Sequence, residues 1–222
     1  MHTLTAFAFA MLISATAAHS LPVTEKLAGI GNPLVDDYLF GAKQIDFEAD
    51  TKGDFGQITR EGVTFISNPQ FTIGNFAAGQ FNTTGNGHLS NLTNSGSVQS
   101  FRFDFSAKST AFGFNFGGHD IDWLLQGFDS AGNVLEQLLI NPLGGVHSGE
   151  YFGLYSTIDF KFATLTILNK SASDLVFIDN FTVVSGAQPS PVPVPPALPM
   201  IAAALLSLAG VRFSRAKTPA PL

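Results

Sequence analysis

From Gln44 to Val184 the chain alternates between apolar and polar positions. "SFRFDF" sets Phe101, Phe103 and Phe105 on one face and Arg102 and Asp104 on the other, and "AFGFNF" repeats the pattern with Phe112, Phe114 and Phe116. A period of two with one apolar face marks a half-buried antiparallel strand. "QIDFE", "GVTFIS", "WLLQGFD", "NVLEQLLI", "YFGLYS", "FATLTIL" and "LVFIDNFTVV" fit the same template. Turn signals separate them: Asn68-Pro69, Gly85-Asn86-Gly87, Gly117-Gly118, Gly132-Asn133, Gly144-Gly145 and Ser171-Ala172-Ser173. "FDSAGNVLEQ" reads as a hairpin that turns on residues 130–133. No amphipathic helix of useful length interrupts the series. About nine to eleven short strands in such a span predict an all-β fold, an antiparallel β-sandwich of the jelly-roll kind over residues 44–186. Residues 20–43 read as an N-terminal arm, in which "NPLVDDYLFGA" offers one helical turn.

The two ends follow a different pattern. Residues 1–19 carry no acid, lysine or arginine, and their apolar run leads into Ala15-Thr16-Ala17, an A-x-A cleavage pattern. They predict a secretory signal peptide cut between Ala17 and Ser20, although its leading segment has only the amino terminus and His2 for positive charge. Residues 187–196 form a proline-rich linker suited to extended polyproline II. Residues 197–213 are uncharged apart from Arg212. At about 1.5 Å per residue, and with the flanking residues helping, they just span a hydrocarbon core about 30 Å thick, as one transmembrane helix. Arg212, Arg215 and Lys217 form a basic stop that leads into a cytoplasmic tail, 214–222, and places the body outside. The signal peptide requires the same orientation.

Charge and composition narrow the function. All 17 acidic residues lie between Glu25 and Asp179, against eight basic ones, whereas the tail adds three bases and no acid. An acidic body without a basic patch is a poor partner for nucleic-acid phosphates. The absence of cysteine excludes disulfides, thiolate metal sites and a cysteine nucleophile. With 22 phenylalanines against three tyrosines and one tryptophan, most aromatic rings lack a polar handle and belong in a core.

The order Val192-Pro193-Val194-Pro195-Pro196-Ala197, then a short apolar helix, then a basic end resembles the PEP-CTERM class of sorting signals in its VPLPA variant, with an extra proline. That resemblance implies recognition by an exosortase-type membrane peptidase, with display or release tied to exopolysaccharide and biofilm. A plain membrane anchor behind a proline spacer is the competing reading. The succession "AFGFNFGG", "FDSAGNVL", "GEYFGLYS", "FATLTIL", "FIDNFTV" resembles the jelly-roll body common in PEP-CTERM proteins, which speaks to fold more than to activity.

Candidate chemistry is sparse. Jelly-roll modules of the carbohydrate-binding type often hold a structural calcium between first-strand acids and a last-strand aspartate. Asp46, Glu48, Asp50 and Asp179 are the corresponding oxygens here. The competing reading makes Asp46 and Glu48 the solvent face of an edge strand. "GGHDIDW" offers His119, Asp120 and Asp122 to a metal, but adjacent strand residues point to opposite faces. His88, His119 and His147 lie on separate loops, and no serine sits in a nucleophile elbow, so no enzyme is expected. "QFNTTGNGHLSNLTNSGS" reads as a long amide-rich surface loop. Two functions follow: an exported, non-enzymatic surface or matrix protein, and, as the alternative, a carbohydrate-binding module stacking sugar on Trp123, Tyr151 and Tyr155.

Overall fold

The computed structural model describes residues 22–92, 100–142, 150–169 and 171–186. The signal peptide, His147, the proline-rich motif Val192 to Ala197, the apolar segment 197–213 and Arg212, Arg215 and Lys217 lie outside the described residues. The chain divides after Gly186 into a body and a second unit, 187–222.

The described body is an all-β, antiparallel structure. Its strands are β1 (Thr24–Ile30), β2 (Lys43–Ile45), β3 (Gly53–Arg60), β4 (Val63–Gly74), β5 (His88–Ser90), β6 (Ser100–Gly117), β7 (Trp123–Phe128), β8 (Val134–Ile140), β9 (Glu150–Ile167) and β10 (Phe177–Ser185). A 3₁₀ turn, Pro33–Val35, follows β1; Asn32 caps it by accepting the Leu34 N–H at 2.9 Å.

Two long strands organise everything else. β6 and β9, 18 residues each, pair along their length, but between Asp104 and Ser109 their register slips. Such a break bends a strand sharply. Before the bend, β6 pairs with β4, and β9 with β7, giving the run β3-β4-β6-β9-β7-β8. Beyond it, β6 pairs with β10 and β9 with β1, giving β2-β10-β6-β9-β1. β5 joins β4 to β10. The result is two layers that share the same bent strands.

Phenylalanine fills the space between the layers. Phe65 and Phe103 of one layer lie 5.0 and 4.9 Å (ring centroids) from Phe181 of the other, and Phe103 lies 5.6 Å from Phe114. All four are buried. Each such ring contributes roughly 1.5–3 kcal/mol through burial, with a little more from edge-to-face geometry.

Several expected strands are corrected in extent. "SFRFDF" and "AFGFNF" are one strand, and so are "YFGLYS" and "FATLTIL". The polar residues between each pair mark the bend, where side chains leave the core without ending the ladder. "QIDFE" shortens to Lys43–Ile45, because Phe47 turns into left-handed backbone (φ 57°). The arm 20–43 contains β1, which pairs with β9 over seven positions. Its following turn carries Leu39 onto the outer face of the second layer, where a small separate core forms with Leu27, Ala111, Tyr151, Tyr155 and Val184. The hairpin at 129–133 is present: Asp129 N–H donates to the Asn133 carbonyl at 3.0 Å.

Candidate functional site

The residues expected to stack on sugar are committed elsewhere. Trp123 is wholly buried between Phe101 and Phe116, and its indole N–H donates to Asp174 Oδ2 at 2.8 Å. Neither of its faces is open to a ligand. Burial also pushes the Asp174 carboxyl up. Tyr151 lies against Gly29 of β1, and its hydroxyl donates to Asp36 Oδ2 at 3.2 Å. Tyr155 stacks on Tyr38 at 4.2 Å. Both tyrosines are covered because the arm is a strand and a turn laid over them. His119 is buried too, stacked on Phe116 at 4.7 Å. His88 is inside as well, and burial lowers its pKa to about 4, so it is neutral at physiological pH.

The four acids proposed for calcium take distinct partners. Asp46 Oδ1 accepts the Glu48 N–H at 3.1 Å, and Asp50 pairs with Arg60. Glu48 accepts the N–H of Asn86 at 2.9 Å and of Gly87 at 2.8 Å. Asp179, wholly buried, accepts the Thr84 N–H at 2.7 Å and the Thr84 hydroxyl at 3.1 Å through Oδ2, and the Asn180 N–H at 2.7 Å through Oδ1. Among the described residues no three Asp, Glu or His side chains converge to hold a metal ion. Glu48 and Asp179, from the two ends of the body, thus clasp one loop, 84–87. Burial raises the Asp179 pKa to about 7, and the Glu48 charge adds to the rise.

Above this clasp lies a polar cleft of about 340 Å³, lined by Gly31, Asn32, Asn82, Thr83, Thr84, Asn115 and Asn180. No ionisable side chain lines it among the described residues. Four places in the sequence build it. Asn180 sits in a bulge of β10, where the pairing with β6 slips between Asp179 and Thr182, and takes left-handed backbone (φ 48°). Asparagine tolerates that conformation better than most residues. Asn82 is also left-handed (φ 64°), at the tip of the 75–87 loop. Asn115 points outward from β6, opposite to Phe114 and Phe116, yet is 3% exposed because the arm covers it. Asn32 caps the 3₁₀ turn at the rim.

A network of amides holds the floor. Asn115 Nδ2 donates to the Gly31 carbonyl (3.1 Å) and the Glu150 carbonyl (3.0 Å). Asn180 Nδ2 donates to Asn115 Oδ1 (3.0 Å) and Thr84 Oγ1 (3.1 Å). Asn82 Nδ2 donates to the Phe116 carbonyl at 2.6 Å, and its Oδ1 is buried with no hydrogen-bond partner. A carbonyl can only accept, so this contact fixes which end of the Asn82 amide faces Phe116.

Sequence reasoning placed these residues in a surface loop or in strands and assigned them no role. The available signals were the amide-rich run "QFNTTGNGHLSN" and the two asparagines within otherwise apolar strands. Asn82 and Asn91 are both buried, and Asn91 bonds the Asp174 carbonyl and the Val176 N–H at 2.7 and 2.8 Å.

No family model matches the chain, and no curated protein matches it. Among solved structures, one similar to it is described as an exo-beta-agarase, at 12% identity and a TM-score of 0.42 over 66% of this chain. The chain spans 25% of that protein's length. A second, TmCBM61 in complex with beta-1,4-galactotriose, is 16% identical with a TM-score of 0.26, covering 64% of this chain and 91% of the other.

Proposed function

We propose that the body is a non-catalytic carbohydrate-binding module whose site is the amide-lined cleft. One observation carries this reading: the cleft is built from neutral amides and hydroxyls, with a buried amide oxygen that lacks a partner. Buried polar atoms are nearly always satisfied, so an unpaired one in a cleft wall suits a ligand hydroxyl. Among the described residues the lining holds no acid or base that could do chemistry on what binds. The site therefore replaces Trp123, Tyr151 and Tyr155 as the place of recognition. Titration calorimetry of the full chain in detergent against a polysaccharide panel tests it: heat with at least one glycan supports the module, and silence across the panel removes it.

The setting remains part of the proposal. An exported jelly-roll-like body, sorted by an exosortase-type peptidase through Val192 to Ala197 and displayed in exopolysaccharide, would meet glycans where it works. Mass spectrometry of the mature C-terminus from native cells tests the sorting: cleavage within 192–196 supports it, and an intact Leu222 leaves only an anchor.

Calcium is a separate proposal. An ion shared by Glu48 and Asp179, with Asp46 and Asp50 nearby in the chain, would relieve the repulsion between the two clasping carboxylates but displace N–H donors they now hold. Melting with calcium and with chelator decides: a rise with calcium supports the ion, and coincident curves remove it.

A further inference from the structure

We infer that the cleft selects uncharged, hydroxyl-donating sugar units over acidic or sulfated ones, with Asn82 Oδ1 as the specificity-determining acceptor. This rests on the carbohydrate-binding reading above and adds the class of glycan.

An asparagine amide has two N–H donors and one oxygen with two lone pairs. Both N–H groups of Asn115 are used, on the carbonyls of Gly31 and Glu150. Both of Asn180 are used, on Asn115 and Thr84. The Thr83 hydroxyl donates to the Gln80 carbonyl at 2.7 Å, and that of Thr84 to Asp179. Most donors on the floor are thus turned inward, apart from one N–H of Asn82 beyond its bond to the Phe116 carbonyl and one of Asn32 beyond its bond to Gln44. Beside them stands unmet acceptor capacity: Asn82 Oδ1 has no partner, and Asn180 Oδ1 has only a long 3.5 Å approach from the Thr84 hydroxyl.

A ligand must therefore bring hydrogens to these two oxygens. Sugar hydroxyls do. A carboxylate or sulfate can only accept, so against these oxygens it would bury two acceptors face to face and leave both unsatisfied. Charge acts in the same direction: Glu48 holds the 84–87 loop, and among the described residues no cation lines the cleft to offset it. A volume of about 340 Å³ lies near the lower limit of ordinary small-molecule sites, which suits a terminal sugar unit and not a long chain segment.

The test uses the full chain in detergent, titrated with uncharged hexose oligosaccharides, with uronic-acid and O-sulfated counterparts of the same rings, and with O-methylated versions of the best binder. The expected result is binding of an uncharged sugar, at least tenfold weaker binding of its acidic counterparts, and loss of binding on O-methylation, which removes donors but keeps oxygens. Asn82→Ala should weaken the uncharged sugar about tenfold at temperatures well below its melt, which should itself fall because the buried Phe116 carbonyl loses its donor and alanine takes left-handed backbone. Should that variant fail to fold, the methylation series on the parent protein still decides. Equal or tighter binding of the acidic sugars, or binding indifferent to O-methylation, overturns this selectivity and leaves the module standing. Absence of binding by every sugar overturns the module and the selectivity together.

Discussion

Asp179 accepts both the backbone N–H and the side-chain hydroxyl of Thr84, at 2.7 and 3.1 Å. Through that one residue the buried end of β10 holds the wall of the cleft. The carboxyl is fully enclosed, and its pKa stands at about 7 against an ordinary 3.8. Between those values the native protein keeps a proton that the unfolded chain has released. Since the folded state binds more protons there, this group's contribution to stability falls as pH rises from about 4 to about 7. Asp179→Asn, which keeps an acceptor oxygen, should flatten that slope. Urea titrations of both proteins in chelator at pH 5, 6, 7 and 8 should diverge by up to ~2.7 kcal/mol across the part of the window they cover. Parallel pH profiles would show that Asp179 titrates normally.

Trp123→Phe should destabilise the body without touching sugar binding. The substitution leaves Asp174 Oδ2 without its indole donor in a buried place. Losing one partner of a buried hydrogen bond costs about 1–3 kcal/mol. In the parent protein the emission of this tryptophan should be blue-shifted and unmoved by saturating glycan. A ligand-dependent shift would return Trp123 to the binding site.

Gly117→Ala should damage fold and site together. A Cβ at this position would run into the backbone carbonyl of Phe81, the residue before Asn82. Backbone cannot rotate away as a side chain does, so the cost should reach the upper end of the roughly 1–3 kcal/mol typical of overpacking. The 75–87 loop would lift, and a thermal melt should drop with a parallel loss of sugar affinity. Full affinity in this variant would separate the loop from the site.

Glu48→Ala should free residues 86 and 87 while sparing the phenylalanine core. Both N–H groups lose the carboxylate that now accepts them. Hydrogen exchange at those two amides should accelerate by at least tenfold, with amides of Phe103 and Phe114 unchanged. Equal protection at 86 and 87 in both proteins would show another group holding the loop.

The layered core was legible because phenylalanine at every second position leaves little choice of face. Phe101, Phe103 and Phe105, and then Phe112, Phe114 and Phe116, all point inward as the alternation requires. What alternation could not convey was that both triplets belong to one strand, since the bend at 105–108 looks in sequence like a loop. β1 escaped for a related reason: "TEKLAGI" is exposed on most of its positions and buries only Leu27, so it carries almost no pattern. The cleft was hidden further still. Asn115 sits where period two predicts solvent, but Gly31 of the arm, Glu150 of β9 and Asn180 of β10 all bond it and enclose it. Asn82 and Asn180 owe their positions to left-handed backbone, which asparagine permits without advertising. Trp123 misled because the scarcest aromatic attracts a functional reading, whereas here its N–H is needed by a buried carboxylate.

β10 ends at Ser185 while hydrogen-bonded to β2 on one edge and to β6 on the other, and Gly186 N–H is still tied to the Lys108 carbonyl at 2.9 Å. The chain continues from this strand toward residue 222. A pull directed along β10 from its C-terminal end would load its rungs side by side, in shear. They would have to fail together, because none can open first as in a zipper peeled from its end. The last strand is thus the mechanical anchor point of the body, and the same strand carries Asp179 and Asn180. Tension would reach the cleft only by breaking the ladder that surrounds it.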